Sequence, residues 1–463
     1  MFDYVLIGEQ RIPVVAQADI VIAGGGPAGI GAAIAAGREG AKTILVERMF
    51  CLGGIMTAGL MSKIAISQRN RGIAAEFLER LDRYQGTSYI QSRPEVPVDP
   101  ELAKLLLDKM VIDEAAVEVR FGSTVSQVVK EGRDIKALII SNINGLQAIR
   151  AKYFIDCTGD GQAGFLAGAA CMIGNEEGGP PSAPSLLFRI ANVDVDKFIA
   201  AHEKNREEYT SARTRHSPEE MRELYHSDRY VFFVDYLPFI KRRIGENPLM
   251  FGEWEQKVLN TRGLIFLNQP QRGVILVNST RILGFRGNDA VELSGAMAAG
   301  RRQIETVFRF MKTFFPGFEN SFIMDTGSLL GIRESRRVAG DYVLLETDIS
   351  GATRFDDAVV SNDGGIEIHS SSGFGLAGSH LAKGEYYHVP YRSIIARDFN
   401  NLFIAGRCFS ASHPALSAAR NIAYCIALGE AAGSAGTLLA RTGKTNVREI
   451  DIRALQEKLA NIL

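Results

Sequence analysis

Cysteine is scarce and scattered: Cys51, Cys157, Cys171, Cys408 and Cys425 are the only five in 463 residues. None forms a Cys-x-x-Cys pair, which excludes a local redox-active dithiol and offers no disulfide framework. The paired-cysteine and His-x-x-His spacings of zinc and iron–sulfur sites are missing as well, so no metal is expected. Tryptophan occurs once, at Trp254, and is expected to pack rather than to serve as a substrate platform. An excess of one charge is also absent. With 52 Lys and Arg against 53 Asp and Glu, the net charge is −1, so neither nucleic acid nor an anionic membrane surface is expected as a partner. No uninterrupted apolar run reaches the roughly 20 residues that span a bilayer. Residues 1–12, interrupted by Asp3 and Glu9, do not read as a secretory signal. A cytoplasmic protein without a membrane span is expected. Its length exceeds one compact core and fits two domains.

Glycine, in contrast, is plentiful: 47 residues against a usual share of about 7%. Residues 19–23 form a short apolar strand, and Gly24, Gly26 and Gly29 follow in the spacing G-x-G-x-x-G. Residues 30–38 are rich in Ala and Gly at helical spacing, and residues 43–46 make a second apolar strand ending at Glu47. Strand, glycine turn, helix, strand and terminal acid together specify a dinucleotide site rather than a bare turn. Gly24 permits the tight turn, Gly26 the approach of a pyrophosphate, and Gly29 close packing of helix on sheet. The helix N-terminus presents unpaired N–H groups and partial positive charge to the diphosphate, and Pro27 suits its first turn. Glu47 can accept hydrogen bonds from ribose hydroxyls, and its charge disfavours a 2′-phosphate.

After Glu47 come Arg48, Cys51, Gly53 and Gly54. A paired glycine there is expected where a flavin extends past the diphosphate. Residues 70–90 and 99–116 carry apolar faces at helical spacing. Residues 117–121, 124–130, 135–141 and 146–150 read as strands, the last three forming a β-meander. Residues 152–156 read as a further strand, ending in a turn at Thr158, Gly159 and Asp160. Residues 185–280 are more charged and mixed, and are expected to hold the substrate domain. Residues 288–315 predict one long helix and 338–346 another. Residues 401–406 are an apolar strand running into Gly406 and Arg407. Residues 412–440 predict a single small-residue helix with Pro414 in its first turn. An edge hairpin is expected from residues 4–7 and 11–15.

Four of these segments resemble one family, the FAD-dependent oxidoreductases with a glutathione-reductase-like FAD-binding fold. Relatives of that kind include the flavin subunit of heterodisulfide reductase and, more distantly, fumarate reductase flavoproteins. The resemblance rests on the opening glycine unit with Glu47, Gly53 and Gly54, on residues 154–160, on residues 331–336, and on residues 390–407 with the helix after them. It implies an α/β, Rossmann-like FAD/NAD(P)-binding fold, a parallel sheet with helices and a β-meander, plus an inserted α+β substrate domain. The FAD-binding domain is expected over residues 1–184 and 320–463, with the substrate domain over 185–319. The resemblance further implies that Gly24, Gly26, Pro27, Ala28 and Gly29 hold the diphosphate, and that Glu47, with Arg48 nearby, takes the adenosine ribose. Gly53 and Gly54 line the flavin side, Val125 meets the adenine through its backbone, and Thr158, Gly159 and Asp160 close the nucleotide pocket. Gly406 and Arg407 flank the ribityl chain, and the helix near Pro414 aims its N-terminus at the flavin. The Gly-Asp ending of aromatic hydroxylases is replaced here by Gly406-Arg407, which argues against hydroxylation. No second complete strand–glycine turn–helix–strand unit is read, which argues against a dedicated NAD(P)H domain.

A flavin dehydrogenase needs a base for the proton that leaves with the hydride, and histidine titrates in the right range. His369, opening a Ser- and Gly-rich loop, and His413, at the start of the last helix, are the leading candidates; His388 is expected to pack. His202, His216 and His226 lie among charges and are expected at the surface. Arg392 is a candidate for binding a substrate carboxylate. Arg333 and Arg392 are candidate proton donors if the reaction is instead a fumarate-reductase-like double-bond reduction. Arg333 and Arg336 can alternatively form an ion pair with Glu334. Cys51 and Cys408 are expected to pack rather than to anchor the flavin covalently. The reading is an FAD-dependent dehydrogenase or oxidase passing a hydride from a small-molecule substrate to flavin N5. Oxygen or a redox partner reoxidises it, and a homodimer is the expected assembly. The alternative from another class is a flavin-binding electron-transfer subunit without its own substrate.

Overall fold

The computed structural model describes residues 9–66, 71–88, 95–175, 181–209, 216–227, 231–369 and 376–463. Its first sheet is built on β1 (Val14–Ala23), followed by helix α1 (Pro27–Arg38) and strand β2 (Thr43–Val46). Strands β3 (Val117–Arg120), β4 (Thr124–Glu131), β5 (Asp134–Asn142) and β6 (Gly145–Asp156) follow in the chain. Their spatial order is β3-β2-β1-β6-β5-β4. Side chains alternate across β1, as a strand requires. Ile20 and Ile22 enter the core beneath α1, whereas Val21 and Ala23 face a second layer with Phe154, Ala163 and Val338.

One strand differs from expectation. Residues 145–156 form a single continuous strand, not a meander arm followed by a separate strand. One edge pairs in parallel with β1 as far as Ala23↔Asp156. Along the other edge, its first half pairs antiparallel with β5, and its end pairs in parallel with β7 (Leu402–Ile404). Two partners in turn share one edge, so the strand has no reason to break at Arg150.

The last helix also differs. It divides at Arg420 and Asn421 into α2 (His413–Ala419), capped by the Ser412 hydroxyl, and α3 (Ile422–Thr442). Helix α3 lies against α1 so closely that a Cβ on Gly429 would sit 1.8 Å from the Ala28 carbonyl oxygen. This contact explains the small-residue composition of both helices: only backbone fits between them. By length and composition α3 could also cross a membrane, but here it is a buried core helix. Residues 338–346, predicted helical, are not: Arg337–Val338 pairs with Cys171–Met172, and the helix near there is Glu346–Ser350.

A second, antiparallel sheet is made by Phe232–Asp235, Leu264–Asn268, Ile275–Val277, Phe188–Ala191 and Phe322–Thr326, in that order. The helix Ala290–Phe314, capped by the Asp289 carboxylate, covers it. Its core is aromatic, with Phe198 ringed by Phe233, Phe266, Phe315 and Phe318. His202, expected at the surface, is buried in this cluster beside Phe198 and Tyr209. Its helix turns it inward, one turn from Phe198, and burial pushes its pKa down to about 4. His226 is exposed and pairs with Asp196. Trp254 is half-exposed with Arg302 over its ring. Residues 4–7 of the expected hairpin lie outside the described residues, while 11–15 run into β1.

Candidate active site

The parallel strands end together, and their carboxyl ends are cross-tied. Gly24 N–H donates to Val46 O (2.7 Å), Cys157 N–H to Ala23 O (2.8 Å), Ala405 N–H to Asp156 O (3.0 Å) and Glu47 N–H to Arg120 O (3.0 Å). Loops following the strands therefore gather at one edge, where α/β sheets bind ligands. Gly26 is the N-cap of α1, Pro27 and Ala28 form its first turn, and no acidic side chain occupies that turn to neutralise its positive end. A Cβ added at Gly26 would meet nothing within 4 Å, whereas one at Gly29 would lie 1.8 Å from Gly24 O. One glycine faces open space and the other is demanded by packing. Gly53 N–H donates to Gly25 O at 2.9 Å, and a Cβ on Gly54 would come within 3.1 Å of Gly26 Cα. The second glycine pair therefore borders the first.

Glu47 is buried and accepts from Gly25 N–H at 2.6 Å and Met49 N–H at 2.7 Å, one bond on each carboxylate oxygen. Arg48 beside it is exposed. Ser123 N–H donates to Glu47 O (3.0 Å), which brings the start of β4, with buried Val125, alongside.

The turn after β6 is organised from within. Buried Asp156 accepts from the Thr158 hydroxyl (2.7 Å) and from Gly164 N–H (2.9 Å), and burial raises its pKa. The Thr158 hydroxyl in turn accepts from Gln162 N–H, so its own bonding is internal. Asp160 accepts from Arg407 (2.7 Å) and from the Ser335 hydroxyl (2.8 Å), and Arg407 also donates to Ser335 Oγ (2.7 Å). Burial works to raise the Asp160 pKa, but the Arg407 charge and hydrogen bond outweigh it and hold the carboxyl below its usual range. This triangle joins three separate sequence segments: Gly159–Asp160, the 331–336 motif and the Gly406–Arg407 turn. A Cβ on Gly159 would touch the Arg407 guanidinium at 3.0 Å.

Next to Ser335 lies the acid–base group. His413, the first residue of α2, is buried, and its Nδ1 lies 2.6 Å from Glu334 Oε2. Glu334 also pairs with Arg337 and accepts from Ser182 N–H. Burial opposes ionisation of Glu334, but the His413 bond and the Arg337 charge prevail and lower its pKa. The partners of Glu334 are thus Arg337 and His413, not the flanking Arg333 and Arg336. Arg333 donates to Ala183 O, and Arg336 to Asn288 O (3.2 Å). Pro414 follows His413 in the first turn of α2.

The remaining candidates are placed differently. His369 ends the strand Ile366–His369, which runs beside α2, with Glu367 N–H donating to the Ser417 hydroxyl (3.0 Å). Residues 370–375 of its expected loop lie outside the described residues. Arg392 is paired with Asp357 (2.9 Å) in a cleft of about 710 Å³, also lined by Asp341, Arg354 and Arg448, which no residue of the glycine loops lines. His388 accepts from Phe355 N–H at 3.3 Å. Cys51 is half-buried and Cys408 fully buried, and burial raises both thiols. Among the described residues, no cluster of His, Cys, Asp and Glu could hold a metal ion. The sequence reading missed Glu334 as the partner of His413, although its motif was in view, and it missed Ser335 as a hub.

The open side of Gly26, the uncompensated helix end and the buried Glu47 suit a dinucleotide with a diphosphate. A family profile described as FAD dependent oxidoreductase matches residues 19–459. Thiamine thiazole synthase from Pyrococcus abyssi is 28% identical over 155 residues, 31% of this chain and 58% of that protein. The enzyme of the same name from Methanococcus maripaludis is 31% identical over 158 residues, 31% of this chain and 57% of that protein. The chain therefore spans little more than half the length of these curated relatives. A geranylgeranyl bacteriochlorophyll reductase-like protein from Thermoplasma acidophilum superposes with a TM-score of 0.50 at 13% identity, covering 96% of this chain and 84% of that one. That likeness concerns the fold alone. With the family profile running from the first nucleotide strand to the last helix, the chain belongs to the FAD dependent oxidoreductase family and is an enzyme that uses FAD.

Proposed function

We propose that this enzyme is a dehydrogenase or oxidase of a small organic molecule, with His413 accepting the proton that departs with the hydride. Gly24, Gly26, Pro27, Ala28 and Gly29 cradle the diphosphate, whose charge meets the N–H groups at the start of α1. Each Glu47 oxygen keeps a lone pair beyond its backbone bond, which suits the ribose hydroxyls. Arg48 and the backbone of Val125 flank the adenosine. Gly53, Gly54, Thr158, Gly159, Asp160, Gly406 and Arg407 border the remainder of the cofactor, and α2, with Pro414, directs its N-terminus toward the flavin. When bound, FAD supplies a two-electron acceptor at N5 that no side chain offers.

The observation that carries the reading is the 2.6 Å contact between His413 Nδ1 and Glu334 Oε2. An Nδ1–H tautomer satisfies Glu334 and leaves Nε2 as the acceptor. Once Nε2 takes a proton, the buried carboxylate stabilises the imidazolium. His369 lies two residues beyond Glu367 on the strand beside α2 and is the second histidine candidate.

The test is anaerobic mixing of the holoenzyme with a panel of alcohols, amines and hydroxy acids while flavin absorbance is followed. A panel member should bleach the wild-type flavin. His413→Gln should slow that bleaching by about 10²- to 10⁴-fold while retaining FAD. Bleaching of His413→Gln at the wild-type rate removes His413 from the role, and the same comparison with His369→Gln then decides for the other histidine. A wild-type flavin that no panel member reduces counts for the electron-transfer alternative.

A further inference from the structure

Helix α2 carries His413 at its first position and Arg420 at its C-terminal cap. Seven residues separate them, two helical turns, so they share a face about 10 Å apart along the axis. The other guanidiniums of this region have partners: Arg407 has Asp160, Arg337 has Glu334, and Arg333 and Arg336 donate to carbonyls. Arg420 is half-buried, yet among the described residues its guanidinium makes no hydrogen bond or ion pair. Glu367 and Glu334 attract it and Arg407 repels it without contact, and burial lowers its pKa.

Its place is defined on two sides. The Arg420 carbonyl accepts from Cys425 Sγ (3.4 Å), and a Cβ on Gly406 would fall 2.8 Å from Ala28 Cβ and 4.0 Å from that sulfur. The backbone of Arg420 therefore adjoins the junction of the two nucleotide loops, and its guanidinium lies within the field of Arg407, Glu334 and Glu367. On the other side, the Ser417 hydroxyl holds the strand Ile366–His369 against α2. A half-buried guanidinium without an internal anion is costly to the fold, and it is also a fork ready for a carboxylate. The diphosphate already has the unpaired N–H groups at the start of α1.

We propose that Arg420 binds the carboxylate of an anionic organic substrate, whose reactive C–H then lies toward His413. The proposal rests on the reading of His413 as the base, but its test does not need turnover. Oxidised holoenzyme is titrated with succinate and benzoate, and separately with succinamide and benzamide, and the perturbation of the flavin absorbance gives an affinity. At least one acid should bind saturably, and both amides far more weakly. Arg420→Gln should weaken acid binding by about 10- to 150-fold, as expected for a lost charged hydrogen-bond pair, with FAD content unchanged. Arg420→Lys should recover part of it, which guards against a misfolded glutamine variant.

Equal acid binding by wild type and Arg420→Gln overturns the proposal. So does a wild-type protein that ignores acids and amides alike, or that binds both equally. Loss of FAD from both Arg420 variants makes Arg420 a cofactor contact instead. Failure of the His413 reading, seen as fast bleaching of His413→Gln, leaves these binding results standing.

Discussion

Gly26 and Gly29 belong to one motif but have opposite surroundings, and alanine at each separates folding from cofactor binding. Gly26 has φ −72° and ψ −171°, a conformation open to any residue, and its Cβ would meet nothing within 4 Å. Gly26→Ala should therefore cost the apoprotein less than about 1 kcal/mol, the loss expected from a poorer helix N-cap. The methyl projects into the space assigned to the diphosphate. Displacing one charged hydrogen bond there costs about 1.5–3 kcal/mol, or about 10- to 150-fold in Kd. At Gly29 the added Cβ would lie 1.8 Å from Gly24 O, and the strand–helix turn must move to admit it. Apoprotein titrated with FAD, with flavin fluorescence giving Kd and urea unfolding giving stability, reads both quantities. Gly26→Ala should lose affinity and keep stability, and Gly29→Ala should lose both. Wild-type FAD affinity in Gly26→Ala would put the diphosphate somewhere other than the open side of that turn. Unfolding of Gly26→Ala as severe as that of Gly29→Ala would show that the open side is not open.

Two further predictions concern pH. His202 is neutral in the fold down to about pH 4, because burial opposes its charge, whereas in the unfolded chain it protonates near 6.5. Stability should therefore fall as pH drops from 6.5 to 4, by on the order of 3 kcal/mol. Urea unfolding of His202→Phe should lack that part of the slope; an unchanged slope refutes it. Glu430 on α3 accepts from Ile73 N–H (2.9 Å), at the start of the helix Ile73–Arg83, and burial raises its pKa to about 7. Its carboxyl is neutral in both states below pH 4.5, and its contribution is lost as pH rises through 7, a penalty of about 3 kcal/mol when complete. Glu430→Gln keeps an acceptor for Ile73 without the charge, so it should stabilise the protein at pH 8 and change little at pH 4.5 in thermal unfolding. Equal melting temperatures of the two proteins at pH 8 would contradict this.

What residues 19–47 determine by themselves is local. The glycine spacing, the Pro27 start and the apolar strand at either end act within a few residues of each other, so turn, helix and second strand follow from the chain alone. The same holds for Asp289 and Ser412, whose caps bond to amides three residues on. Long-range pairing is a different matter. His413 was legible as a helix start and a candidate base, but its carboxylate lies 79 residues away and its choice among Arg333, Arg336 and Arg337 depends on how the 331–336 segment enters the site. Arg407 meets Asp160 across 247 residues only because β6 and β7 end side by side. Charge around His202 suggested solvent, and the aromatic core beneath its helix decided otherwise. Arg392 and Arg420 look alike as arginines near the C-terminal strands. Tertiary structure supplied Asp357 to one and no carboxylate partner among the described residues to the other, since a counter-ion is found through space and not along the chain.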